Sequence, residues 1–495
     1  MRQWLARIDL APEGSARDRG VFWGLLALLL WAPLPLGSNR IWAIGILVAA
    51  AAALLMGAVW TWRQHTALAR ERLHAFRWPV AALGALGALV ALSWLQTVPL
   101  PASWVQALSP MAASVQGAAA WMTLSVDVFQ SQVMAGLSFA YLAVFVVALL
   151  TVRTPGRLNT VAHVLVWSGV AQAVLGALLF SVHAKYRLFF VDLVHTRMIG
   201  TFVYHNSLAG YLCMCLSVGV GLMLSQLGTG RCYLPTWQAK LKAAIEFVLS
   251  PTMRLRMLLV VMVIALVLTR SRMGNTAFFV AMLVVGGLGL VLARKRAPQT
   301  MALILSLIVI DIVIVGTGVG LEKVMERIQT TELMVADGGA SESVEARTAV
   351  GRTALALVKD YPLVGSGGGS FYNVFLAYRM PEQGKSHWDH AHNDFVEIAA
   401  DYGLLGLGLL GVFVALSLVR VLRVMAVRHS ALPWGVAFGV AMAIVALLVH
   451  STVDFNLYIP ANALTMVVVI ALGWVASELP SPKGKTRTKR TQETA

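Results

Sequence analysis

Two histidines and a run of carboxylates share one short segment, Trp388-Asp-His390-Ala-His392-Asn393-Asp394-Phe-Val-Glu397-Ile-Ala-Ala-Asp401-Tyr-Gly403. If the chain turns helical from Asp394, then Asp394, Glu397 and Asp401 share one face at i, i+3 and i+7, and His390 and His392 lie just ahead of the helix. Asp394 there can help to cap the free N–H groups. An accessible imidazole titrates close to neutral pH and could take a proton from a hydroxyl group. The same residues also fit a solvated capping segment whose histidines are incidental, and their chemistry alone does not choose between the two. A metal site built from His390, His392 and Asp394 has no dedicated spacing behind it.

A second group is cationic: Arg197, Arg270, Arg272, Arg347, Arg352 and Arg379. Thr269-Arg-Ser-Arg272 falls where two apolar runs meet without a real loop, which puts guanidinium groups at headgroup depth. A guanidinium grips phosphate oxygens with a two-pronged fork, whereas a single interfacial arginine more simply snorkels. Several together on one face with a polar loop favour phosphate binding. Gly365-Ser-Gly-Gly-Gly369 lacks the Lys-Ser/Thr and the strand–helix context of a phosphate-binding loop, so a flexible turn is expected there.

The elements that must carry these residues are apolar. Of 495 residues 58% are hydrophobic and 13% charged, against about 25% charged in a soluble protein. The chain is therefore all-α and polytopic in a membrane. Twelve spans are predicted, at 21–36, 41–60, 79–98, 132–151, 159–181, 206–226, 257–270, 273–293, 300–319, 403–422, 433–451 and 460–478. The first is expected to be retained, since no cleavage site follows it. The net charge of +16 comes from short basic clusters between spans. With the N-terminus in the cytoplasm, about two-thirds of the Lys and Arg fall on the cytoplasmic side, so both termini are placed there and no nucleic-acid partner is expected. This divides the chain into a bundle of about nine spans (1–319), one large outer loop containing helices (320–402), the last spans (403–478) and a basic cytoplasmic tail (479–495). The loop is expected to hold a charged helix near Glu322–Glu332 and a second helix over about 344–360. Cys213, Cys215 and Cys232 form neither a disulfide framework nor a zinc pattern.

These elements resemble the O-antigen ligase and Wzy-type polymerase superfamily of bacterial envelope glycan assembly. Its H-[N/S/Q]-x9-G-x-x-G hallmark is similar to His392-Asn393-x9-Gly403-Leu-Leu-Gly406, and its Arg-to-Pro-x-x-Gly pattern to Arg347 and Pro362-Leu-Val-Gly365. Ser271-Arg272, Arg197-Met-Ile-Gly200-Thr-Phe202, Asn206-Ser-Leu-Ala209 and His450-Ser-Thr-Val-Asp454-Phe also look like family elements, in order over about 195–465. Position 351, commonly aromatic, is Gly here, and the usual Asn-Pro-Asn reads Tyr204-His205-Asn206.

The resemblance implies an inner-membrane enzyme, with the large loop in the periplasm, that moves a glycan from undecaprenyl pyrophosphate to an acceptor, with lipid A–core preferred. It implies that His392 activates the acceptor hydroxyl and that Arg272, Arg347 and Arg197 hold the donor pyrophosphate, with His390, Asn393 and Asp454 as accessory residues. No metal and no cofactor are expected, because arginines can neutralise a leaving pyrophosphate. Polysaccharide polymerases carry the same motifs, and some relatives glycosylate protein. A secondary transporter, from another class, would show repeats or charges at mid-span; here Asp311 is the main such carboxylate, and the polar chemistry sits at the outer ends.

Overall fold

A computed structural model describes residues 16–63, 79–182, 197–226, 238, 250–292, 344–380 and 388–479, with the backbone alone at 16 and 344–348. The predicted span at 300–319 with Asp311, the charged loop helix near Glu322, Cys232 and the basic cluster of the tail lie outside the described residues. So does the side chain of Arg347.

Each of the other eleven predicted spans falls on a helix. Nine helices among the described residues are long and apolar enough to cross a membrane: α2 (Ile41–Arg63), α6 (Val128–Thr151), α7 (Pro155–Ser181), α8 (His205–Gln226), α9 (Pro251–Leu268), α10 (Arg272–Leu292), α13 (Asp394–Val427), α14 (Ala431–His450) and α15 (Pro460–Glu478). The shorter α1 (Ala16–Trp31) and α3 (Val80–Leu95) carry the remaining two predicted spans. The protein is an all-α, multi-pass membrane protein.

α8, α14 and α15 form the centre and are buried along nearly their whole length. Glycine lets their backbones approach. A Cβ on Gly221 of α8 would lie 2.2 Å from the carbonyl of Gly435 in α14, and one on Gly439 would lie 2.7 Å from that of Ser217. Lipid tails are as apolar as leucine, so such close packing rather than hydrophobic burial holds these helices together. Local signals set the ends: Asp127, Thr154 and Ser250 accept N–H groups of the first turns of α6, α7 and α9. At the end away from the histidines, Arg157 of α7 meets Asp18 of α1 at 2.6 Å, with both side chains nearly buried.

At the other end a smaller cap sits on the bundle. It contains α4 (Ala102–Leu108), α5 (Pro110–Gln116), α11 (Val344–Asp360), α12 (Phe371–Val374) and a two-residue ribbon pairing β1 (Leu100–Pro101) with β2 (Trp121–Met122). Its own apolar cluster includes Val105, Met122, Leu357, Phe371 and Tyr402. α11 matches the helix predicted over 344–360 and packs on α13.

Candidate active site

α13 is the element on which the site is built, and it is not one straight rod. Gly403 breaks it at φ 69°, ψ −179°, a conformation that is essentially glycine's alone. The N–H groups of Leu404 and Leu405, freed by the break, donate to the carbonyls of Pro362 (2.8 Å) and Leu363 (3.2 Å). A Cβ at 403 would fall 2.2 Å from the Leu363 oxygen. The reverse contact is as close: a Cβ on Gly365, itself at φ +75°, would fall 2.3 Å from the Asp401 carbonyl. The Pro-x-x-Gly and Gly-x-x-Gly elements therefore interlock, and the first nine residues of α13 form a separate short helix ahead of the long apolar one.

The acidic stripe of that segment is not solvated. Asp394, Glu397 and Asp401 are buried, because the chain at 362–371 and 450–458 wraps the helix on both sides. Each carboxylate holds its own backbone. Asp401 accepts from the N–H groups of Gly369 (2.7 Å) and Phe371 (3.2 Å) and from the Tyr458 hydroxyl (2.8 Å). Burial, then the charge of Asp401, pushes the Tyr458 phenol far above its ordinary range, so it stays a donor. The glycine-rich stretch expected as a flexible turn is thus a fixed cradle with buried Ser366 and Ser370, closed around a carboxylate of the same chain.

Asp394 accepts from Ser451 Oγ (2.5 Å) and from the N–H of Leu457 (3.2 Å), pinning the helix start to the turn after α14. The N-cap is Asn393, whose Oδ1 accepts from the N–H groups of Phe395 and Val396 while its amide donates to the Thr452 carbonyl. Glu397 accepts from the N–H of Ala391 (2.8 Å) and from His390 Nδ1 (2.6 Å). This pairing fixes the His390 ring and leaves its Nε2 as the outward nitrogen. Burial lowers the pKa of His390, but the charge and hydrogen bond of Glu397, with Asp389 and Asp394 further off, outweigh this and raise it above the ordinary value.

Phe455 gathers the histidines. Its ring stacks on His390 at 4.0 Å between centroids, meets His392 edge-on at 5.1 Å and stacks on Tyr204 at 5.8 Å. Tyr204 lies against His205, and His205 Nε2 is 2.9 Å from an Arg197 nitrogen. His392 is also flanked by the buried Trp388 and holds a left-handed φ of 50°. That conformation is uncommon for a side chain of this size and concentrates at functional sites. Asp454 is buried, 3.7 Å from His450 Nε2, and its carbonyl accepts from the N–H of Asp394.

The structure thus brings His390, His392, Asn393, Asp454 and Arg197 together. Arg272 lies at the same end, beside the Arg197 segment, because the N–H of Met198 donates to the Leu268 carbonyl just before the turn. Ser271 caps α10 through the N–H of Gly274, which sets Arg272 as its first residue, exposed. No described hydrogen bond or ion pair joins Arg272 to His392. Arg347 is placed only by its backbone, in the first turn of α11. Among the described residues no three His, Cys, Asp or Glu side chains gather to hold a metal; His390 and His392 share the Phe455 ring, while Asp394 is taken up by Ser451 and Leu457.

Sequence reasoning missed Phe455, Tyr204, His205 and the anchoring part of Glu397. Phe455 was visible as the last residue of His450-Ser-Thr-Val-Asp454-Phe, and the other two as the departure at 204–206.

Residues 257–411 match the family described as O-antigen ligase, a stretch that takes in Arg272, Arg347, His392 and Gly403. No curated protein matches the chain. The family match supports the O-antigen ligase superfamily and a membrane glycosyltransferase-like enzyme of the ligase or polymerase type.

Proposed function

We propose that the protein transfers a glycan from undecaprenyl pyrophosphate to an acceptor hydroxyl on the periplasmic side of the bacterial inner membrane, with lipid A–core as the acceptor. The observation that carries this reading is the group on Phe455: two histidines and, through Tyr204 and His205, an arginine, held at one end of a membrane bundle. Both termini are then cytoplasmic. His392 takes the proton of the acceptor hydroxyl as its oxygen attacks the anomeric carbon. The bond from that carbon to the phosphate oxygen breaks, and the electron pair leaves with the pyrophosphate. Arg197, Arg272 and Arg347 neutralise the leaving charge, so the step needs no metal. His390, whose protonated form Glu397 favours, donates its Nε2–H to a phosphate oxygen in that form, while Asn393 and Asp454 fix the backbone on which both histidines sit.

The test is transfer by purified protein, given lipid-linked donor and lipid A–core. His392→Ala should abolish product while the protein still inserts and accumulates. Near-normal product from that variant sinks the assignment of the base. Elongated donor in place of modified lipid A–core would make the enzyme a polymerase.

A further inference from the structure

From Trp78 to Val126 the chain contains no Asp, Glu, Lys, Arg or His. Part of that stretch is α3, where an uncharged sequence needs no explanation. The remainder, 96–126, is the cap segment of α4, α5 and the β1–β2 ribbon, outside any span. One face of this segment is accounted for: Val105, Ala112, Met122 and Leu124 are buried against Leu357 and Phe371. The other face is open and uncharged, and its large side chains are apolar, with Ser103, Gln106 and Ser114 the exposed polar residues. Trp104, Val115 and Trp121 are 60%, 55% and 64% exposed, with Met111 beside them, and no described residue packs over them.

A cap face turned to water carries charge, as α11 does with exposed Arg352, Lys359 and Asp360. The 96–126 face carries none. It also continues directly from exposed Trp94, Leu95 and Val98 at the end of α3, an apolar helix whose Val80 is exposed as well. Tryptophans on an uncharged surface that mixes apolar with small neutral polar side chains, at the end of a span, mark the membrane–water boundary. A buried second subunit would explain the absence of charge equally, but not its unbroken run from the exposed apolar end of a transmembrane-type helix.

We propose that α4, α5 and the β1–β2 ribbon lie in the lipid interface at the end of the bundle that bears the histidines, with Trp104, Val115 and Trp121 inserted among the phospholipids. Interfacial helices sink their apolar face about 5–10 Å into the headgroup–acyl boundary. The segment is rigidly tied to the site. Gln96 Nε2 donates to the carbonyls of Val364 (2.7 Å) and Asp401 (2.8 Å), and its Oε1 accepts from the N–H of Gly368 (3.0 Å). The N–H of Val126 donates to the Ser366 carbonyl (2.8 Å), and Asn373 donates to Asp127. The cap is therefore a depth gauge: where its tryptophans sit in the lipid determines the height of the helix start that carries His390 and His392.

Nitroxide labels at Ala107→Cys, Val115→Cys and Ala119→Cys, in full-length protein in phosphatidylethanolamine–phosphatidylglycerol nanodiscs, test the proposal. The signal of the protein with only its native cysteines is subtracted, and Lys359→Cys serves as the water-facing comparison. The three labels should collide more with oxygen and less with a nickel chelate than the label at 359. Nickel accessibility equal to that at 359 overturns the proposal. Protection that persists in detergent and rises with protein concentration also overturns it, in favour of a second copy. In the unmutated protein, a phospholipid with a photoreactive acyl chain should label peptides from 102–122 as it labels α2. Labelling of α2 alone overturns the proposal without any variant, whatever the reaction proves to be.

Discussion

Glu397→Gln isolates what the buried carboxylate does for His390. Glu397 uses both oxygens, one for the Ala391 N–H and one for His390 Nδ1. Glutamine has a single oxygen, which the fixed backbone N–H claims, so its NH2 must face Nδ1. An amide donor there needs Nδ1 as an acceptor, which only the neutral ring provides. The side chain keeps its volume, but the imidazolium loses its counter-charge and its hydrogen bond while the cost of burial remains. A hydrogen bond to a charged group contributes about 1.5–3 kcal/mol, so losing it and the counter-charge should lower the pKa of His390. The sign follows from the raised native value. If cationic His390 is the active form, activity is full at low pH on this limb and is lost as pH rises through the native pKa. In Glu397→Gln that alkaline limb should move to lower pH. Stability follows the same sense: the pair contributes fully below the unfolded value of about 6.5 and its contribution disappears above the folded one. The measurement is the pH profile of transfer rate for both proteins in nanodiscs. The other charged or titratable neighbours of the ring, Asp389, Asp394 and Tyr458, are the same residues in both proteins, and the upward push that the Glu397 charge gives the Tyr458 phenol is lost in the variant. An alkaline limb at the same pH in both proteins would refute the reasoning.

Lysine should substitute poorly for Arg272 and for Arg347, because an ammonium cannot offer two parallel N–H donors; full activity of both Lys variants at limiting donor would replace the forked contact by a simple field effect. Gly403→Ala should cost about 1–3 kcal/mol in backbone strain alone, with the contact to the Leu363 oxygen added, and should show as a lower unfolding temperature in detergent; an unchanged temperature would mean that the break in α13 is not needed. Turnover of donor and lipid A–core should continue in excess EDTA, and loss of activity restored by Mg²⁺ or Mn²⁺ would make the carboxylates of Asp394, Glu397 and Asp401 the first ligands to test.

The spans were legible because about 20 apolar residues in a row have few alternatives in lipid, and α11 was legible from its amphipathic pattern. The position of His392 ahead of a helix starting at Asp394 was legible too, but the sequence reading assigns the capping part to Asp394, whereas the structure gives it to Asn393 and ties Asp394 to Ser451 and Leu457 instead. Periodicity placed Asp394, Glu397 and Asp401 on one face, but it could not say that the face is buried. That depends on chain from 362–371 and 450–458 folding over it, contacts with no local signature. The glycines at 365–369 read as loose for the same reason: glycine permits a tight wrap as readily as disorder, and the carboxylate that fixes the wrap lies thirty residues on.

The ties that close the site also set when it can exist during synthesis. Gln96 must find the carbonyl of Asp401, 305 residues downstream, and Asp394 must find Ser451 a further 57 along. Chains are made N-terminus first, at about 5–20 residues per second, so the segment bearing the histidines leaves the ribosome well before the turn after α14 that anchors it. Until that turn and α15 are in the membrane, Asp394 lacks Ser451 and His390 lacks the Phe455 ring it stacks on. The end that bears the histidines is consequently the last part of the protein to mature, and a chain stopped after α13 would hold all of the matched family segment without the assembled cluster.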